Sequence, residues 1–143
     1  MLEEDATKGI IGSAIEVHRI LGPGLLESVY EDCLTMELSL RGLPYERQRA
    51  VPVEYKGRRI GADFRIDLLV NDRVIVELKA VETLLPIHEA QVITYLRLTG
   101  KPFGLLINFN VPLLKDGIRR LLNPHLLRAS VPPCEKVNRQ DEC

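Results

Sequence analysis

Glu77 and Lys79 stand two residues apart inside the apolar stretch VIVELKA, residues 74 to 80. Side chains alternate along a strand, so Val74, Val76, Leu78 and Ala80 share one face and Ile75, Glu77 and Lys79 the other. The two charges then lie roughly 6.6 Å apart, at about 3.3 Å rise per residue. They are either a mutually neutralising pair on a wet face or half of an active site. Upstream, a second strand pattern puts Asp63, Arg65, Asp67 and Leu69 on one face and Phe64, Ile66, Leu68 and Val70 on the other. Opposed residues of an antiparallel pair point to the same face. Asp67 therefore meets Glu77 if the pairing centres on Asp72, with Asn71, Asp72 and Arg73 as the loop. A two-residue Asn-Asp loop would set Asp67 against Val76 and put the acids on opposite faces. Both turns suit Asn71 and Asp72, and the sequence leaves the choice open.

In the odd register two carboxylates lie side by side, with an ammonium one strand position away. Carboxylate oxygens suit a hard cation such as Mg²⁺, which keeps waters and binds phosphate oxygens. A lysine beside that cation can orient a water or steady charge at phosphorus. The alternative is surface ion pairing. Further along, His88, Gln91 and Tyr95 fall at i, i+3 and i+7, on one helix face. They offer hydrogen bonds to a ligand, or simply a solvated stripe. Glu27 and Tyr30 lie three apart on another helix, where Glu27 also suits the helix dipole. His18 borders a core stripe, the usual place of a satisfied, partly buried histidine.

The elements that must position these groups follow from periodicity. Residues 7 to 21 predict a helix with Ile10, Ala14, Val17 and Leu21 inward and Thr7 as cap. LGPG breaks the chain. A second helix starts near Leu25 and ends at Arg41-Gly42, with Leu26, Val29, Cys33, Met36 and Leu40 as its buried stripe. Strands follow over 46 to 55, 58 to 70 and 74 to 80. A Lys56-Gly57 turn sets Glu54 against Arg59 and Val53 against Ile60. A helix from Pro86 to Gly100, a strand over 103 to 109 and an amphipathic helix over 113 to 122 complete the order ααβββαβα. The fold class is α/β, a mixed sheet flanked by helices. Residues 1–128 read as a single domain, and 129–143 as a mobile tail without periodicity.

The chain has 143 residues, 45% of them apolar and 27% charged, which suits one domain with a real core. No apolar run reaches the roughly 18 residues needed to span a bilayer. The first residues, MLEEDATKG, lack the apolar core of a signal peptide. Three cysteines, Cys33, Cys134 and Cys143, make no disulfide framework. A cytoplasmic setting is expected, with no membrane partner. Net charge is −1, so an anionic partner must be met locally. Locality is visible between Arg41 and Arg65, where Arg41, Arg47, Arg49, Lys56, Arg58, Arg59 and Arg65 stand against only Glu46, Glu54 and Asp63, either a patch for an anion or the solvated face of a hairpin.

Gly24, Glu27 and Tyr30 in GLLESVY match the signature of the GxxExxY proteins. RIDLLV, VIVELKAVE, PIHEAQVITYLRLTG and GLLINFNVPLLKDGIRR resemble the same family, from about Ile10 to Leu122. That family resembles the PD-(D/E)XK nuclease superfamily, whose restriction-endonuclease-like core is a helix, three antiparallel strands, a helix and a further strand. The resemblance makes Asp67 the motif aspartate and Glu77-Leu78-Lys79 the E-x-K, with Ile66 where the motif has proline. Gln91 and Tyr95 match a Q-x-x-x-Y on the helix after E-x-K. Glu27 resembles the acidic residue of the first core helix. His18 resembles a helical histidine that binds metal in some members.

The implied activity is a Mg²⁺- or Mn²⁺-dependent nuclease acting on DNA or RNA. Asp67, Glu77 and the Leu78 carbonyl would hold the metal, with Glu27 and His18 as further ligands. Lys79 would position the attacking water, and Gln91 and Tyr95 would touch the phosphate or the lysine. Arg47, Arg49, Arg58 and Arg59, with Tyr30 and His88, are the expected nucleic-acid contacts, the arginines binding backbone phosphate. A non-catalytic module that keeps the fold and binds nucleic acid or protein is the alternative. A homodimer or a protein partner would supply the specificity that a chain of this size lacks.

Overall fold

The structure, a computed structural model, describes residues 3–129. The tail expected from residue 129 lies, apart from Ala129, outside the described residues. The elements run α1 (Glu3–Leu21), α2 (Glu27–Leu40), β1 (Tyr45–Tyr55), β2 (Arg58–Val70), β3 (Val74–Lys79), α3 (Pro86–Thr99), β4 (Phe103–Asn108), β5 (Ile118–Leu122) and α4 (Pro124–Ala129). The five strands lie in chain order in one mixed sheet, with β3 and β4 parallel and every other neighbouring pair antiparallel. The parallel step needs a crossover, which α3 supplies. The expected restriction-endonuclease-like α/β arrangement is present.

Two apolar layers flank the sheet. On one face Ile10, Ala14 and Val17 of α1 and Tyr30, Leu34 and Leu38 of α2 pack on Leu68, Val70, Val76 and Leu78. On the other, Val92, Tyr95 and Leu96 of α3 pack on Leu69, Ile75 and Leu106. β3 is covered on both faces, which is why it reads as a nearly continuous apolar run.

Three local expectations change. α1 begins at Glu3, so Thr7 lies inside the helix and does not cap it. Most of the stripe expected inside α2 faces outward: Leu26, Met36 and Leu40 are 72%, 66% and 73% exposed, while Cys33 packs part-buried against the core. Tyr30, Leu34 and Leu38, a second stripe at spacing four, is buried instead. The Tyr30 ring decides the rotation, stacking on Phe109 with centroids 4.4 Å apart and planes 6° from parallel. Third, residues 113 to 122 are no helix. A short 3-10 turn, Leu114–Gly117, leads into β5, and the last helix follows it. A Cβ on Gly117 would collide with the Asn108 carbonyl oxygen, so the chain passes there as glycine and leaves beside β4.

The LGPG break is fastened by Tyr30. Its hydroxyl donates to the Gly22 carbonyl and accepts the Leu25 N–H. The helix start that carries Glu27 is thereby held against the sheet. Tyr30→Phe keeps the ring stack and loses both part-buried bonds. A loss on the order of 0.5 to 1.5 kcal/mol is expected, read by denaturant titration. A loss below about 0.3 kcal/mol would show that the hydroxyl fastens nothing.

Candidate functional site

The β2–β3 ladder pairs Val70 with Val74, Leu69 with Ile75 and Leu68 with Val76. The loop is therefore Asn71-Asp72-Arg73, the odd register that sets Asp67 across from Glu77. Asn71 and Asp72 both adopt left-handed backbone (φ 55° and 56°), and the Arg73 N–H closes the turn on the Val70 carbonyl at 3.1 Å. Beyond Leu68 the regular pairing stops and the carboxylates take over backbone donors. The Asp67 N–H donates to Glu77 Oε2 (2.9 Å), and the Leu78 N–H donates to Asp67 Oδ2 (2.8 Å). The N–H and C=O of a strand residue point to the same edge, so the Leu78 carbonyl also faces this opening.

Face alternation slips at the same point. Ile66 packs with Leu69 on the α3 side, and Phe64 lies 6.4 Å from the Tyr95 ring, whereas Leu68 and Val70 pack on the α1–α2 side. The even alternation expected along β2 therefore breaks at Asp67. Gln48, between Arg47 and Arg49 on β1, has φ 52° and marks the distortion. Its Nε2 donates to Asp67 Oδ1 (3.3 Å) and to both Glu31 oxygens (3.1 and 3.3 Å).

Glu77 is 5% exposed. Burial, reinforced by the Asp67 charge, pushes its carboxyl up to about 8, against the pull of the Asp67 N–H and Lys79. Asp67 is also raised, by burial first and then by the charges of Glu31 and Glu27. Two crowded carboxylates that resist joint ionisation are what a bound cation relieves. Two carboxylates and a carbonyl are also a hard-oxygen set that fits Mg²⁺ or Mn²⁺, which complete their shells with water and substrate phosphate. Among the described residues, no three His, Cys, Asp or Glu side chains gather closely enough to hold a metal between them.

Glu27, at the start of α2, accepts the Ala80 N–H (3.3 Å), and its charge is felt at Asp67 and Glu77. The end of β3 is tied twice more: the Phe109 N–H donates to the Lys79 carbonyl (2.9 Å), and the Val81 N–H to Asn108 Oδ1 (3.0 Å). Lys79 makes no ion pair among the described residues. Its side chain lines a cleft of about 470 Å³ together with Phe64, His88, Gln91 and Tyr95. The Tyr95 phenol is raised by burial and by the charges of Glu77 and Asp67, with Gln91 pulling the other way. Asp67, Glu77, Lys79, Glu27, Gln91 and Tyr95 are thus brought to one region.

Other expected residues are placed elsewhere or engaged. His18 Nε2 donates to the Val111 carbonyl (2.8 Å) and is engaged there. Tyr30 is wholly buried and cannot meet a nucleic acid. His88 Nδ1 accepts the Leu85 N–H (2.9 Å), capping α3, while its ring lines the cleft. Arg47 is bound to Glu31 (3.0 Å) and Asp32 (2.6 Å), and Arg49 to Glu46 (3.2 Å). Arg58 and Arg59 stand exposed at the hairpin end. Glu31, Gln48 and Asn108 were not expected. Glu31 had a signal, its position four residues after Glu27; Gln48 and Asn108 had none.

A family model for the PD-(D/E)XK nuclease superfamily matches residues 4–121, and the chain belongs to that superfamily. The crystal structure of SSO0001 is similar to it at 16% identity and a TM-score of 0.36, covering 83% of this chain and 70% of that one. No curated protein sequence matches the chain. Among the described residues, no helix is long and apolar enough to cross a membrane.

Proposed function

We propose that the chain is a nuclease that uses Mg²⁺ or Mn²⁺ to hydrolyse phosphodiester bonds of DNA or RNA. The observation that carries this reading is the opening of the β2–β3 ladder at Asp67 and Glu77, with Lys79 one position further along the same strand face and lining the adjoining cleft. Asp67, Glu77 and the Leu78 carbonyl would hold the cation. When bound, the cation supplies charge for the scissile phosphate and the means to acidify a water. Lys79 orients that water toward phosphorus and offers positive charge to the phosphate oxygens. Glu27 either orients the same water or holds a second cation. Gln91 and Tyr95 border the phosphate and Lys79. Arg58 and Arg59 contact the strand backbone, which sets affinity without sequence. The Gly24, Glu27 and Tyr30 pattern supports a place among the GxxExxY proteins.

A second reading has its own support. Both carboxylates already accept backbone N–H groups, and no three-residue metal group is present among the described residues. A module that binds nucleic acid or protein without cleaving would look similar. The deciding experiment incubates the protein with single- and double-stranded DNA and RNA, with Mg²⁺, Mn²⁺ or EDTA, and with Lys79→Ala as control. Metal-dependent, Lys79-dependent cleavage of one substrate class is expected. Binding without cleavage across the panel would put the non-catalytic reading ahead.

A further inference from the structure

We infer that the cleft beside Lys79 takes an unpaired nucleobase, so that the substrate is single-stranded nucleic acid or a frayed end. This rests on the proposed reading of the site and names its substrate class. Three apolar side chains line the cleft without being covered: Phe64 is 43% exposed, Ile87 66% and Leu98 38%. The Phe64 ring is tilted 48° to Tyr95, and among the described residues no parallel ring stacks on it. Such a surface offers a flat π-face and aliphatic edges, the chemistry a base stacks against. The same cleft holds Lys79, where charge suits a phosphate, and Gln91, whose amide both donates and accepts and so suits any base edge.

Size and connection narrow the occupant. At about 470 Å³ the cleft is within the usual range for a small ligand, roughly 300 to 1,000 Å³. That is room for one nucleotide. In a duplex the bases are already stacked and paired, and extracting one costs a few kcal/mol. A single strand presents its bases freely. Because Lys79 belongs both to the cleft wall and to the candidate centre, the base entering the cleft is next to the phosphate at Asp67 and Glu77.

The test uses the full chain and DNA and RNA oligonucleotides with one 2-aminopurine. Each is offered single-stranded and as a blunt duplex, with Ca²⁺ replacing Mg²⁺. Quenching reports stacking and anisotropy reports affinity. Single-stranded probes should be quenched, and Phe64→Ala should remove the quenching and weaken their binding about 5- to 150-fold. Phe64→Tyr should retain both, and Ile87→Ser, at a more exposed position, should weaken binding in the same direction. Duplex affinity should change less than about twofold. Unquenched probes, a Phe64→Ala variant that binds single strands like wild type, or equal weakening on duplex would overturn the inference. Cleavage is measured on the same preparations with Mg²⁺. Lys79-dependent cleavage indifferent to Phe64 sinks the cleft assignment alone. Phe64-dependent quenching with no cleavage of any substrate sinks the nuclease reading alone.

Discussion

Lys79→Met is expected to fold like wild type, bind nucleic acid, and lose cleavage by on the order of 10²- to 10³-fold. The fold does not depend on the ammonium. Lys79 makes no ion pair among the described residues, and the strand end is fixed by backbone atoms, through Phe109, Glu27 and Asn108. Methionine fills the same volume with no charge. If Lys79 only neutralised Glu77 on a wet face, the pair would be worth about 0 to 1 kcal/mol and its loss would pass unnoticed. At a centre where negative charge accumulates on phosphate oxygens, its loss falls on the transition state. Stability should stay level or rise slightly, because a functional charge often sits at a cost to the fold. Single-turnover rates and melting temperatures of both proteins decide it. Equal rates would remove Lys79 from the chemistry.

Glu77→Gln should reverse two behaviours of the wild type. Burial and the Asp67 charge raise the folded carboxyl from its ordinary value of 4.5 to about 8. At pH below 4.5 the folded and unfolded states both hold the proton. Between 4.5 and 8 the folded state holds it while the unfolded chain has released it, so stability falls as pH rises. Above about 8 that stabilisation is gone. The wild type without metal should therefore lose on the order of a few kcal/mol across this window through Glu77. Glutamine cannot titrate and still accepts the Asp67 N–H, so the variant should be the more stable protein at pH 8 to 9. Metal acts in the opposite direction. A cation favours the ionised carboxylate, and millimolar Mg²⁺ or Mn²⁺ should raise the wild-type melting temperature at pH 8. The variant should show little of that rise. A wild type indifferent to metal, or a pH profile parallel to that of the variant, would contradict the account.

Where chemistry and geometry leave one answer, the sequence was enough. Lys56 and Gly57 both take left-handed backbone (φ 52° and 79°), and the two-residue turn puts Glu54 against Arg59 and Val53 against Ile60 as expected. The apolar strand 74–79 and the helix from Pro86, closed by Gly100 at φ 74°, were legible for the same reason. The loop after Val70 was not, because Asn71 and Asp72 tolerate left-handed backbone in either turn. Contacts distant in sequence accompany the observed one: Asn71 N–H to the Pro44 carbonyl and Lys101 to Asp72. In α2 the sequence carries two apolar stripes, and the choice between them came from Phe109, far down the chain. IRRLL is too short to separate helical from strand periodicity, and pairing with β4 makes it a strand. The slip of faces at Asp67 depends on Gln48, which no spacing rule marks.

The central claim is that hydrolysis occurs in the gap between Asp67 and Glu77 with a divalent cation. Its most direct test is the single-turnover cleavage rate of wild type and Asp67→Asn, measured across Mn²⁺ concentration on the substrate that the panel identifies. Asp67 contributes one of two carboxylates to the gap and holds the Leu78 N–H in place. The account predicts a wild-type rate that is absent in EDTA and saturates with Mn²⁺. It predicts a variant slower by on the order of 10²-fold or more at every concentration. A variant that reaches the wild-type rate at saturating Mn²⁺, or a wild-type rate that persists in EDTA, would place the chemistry elsewhere.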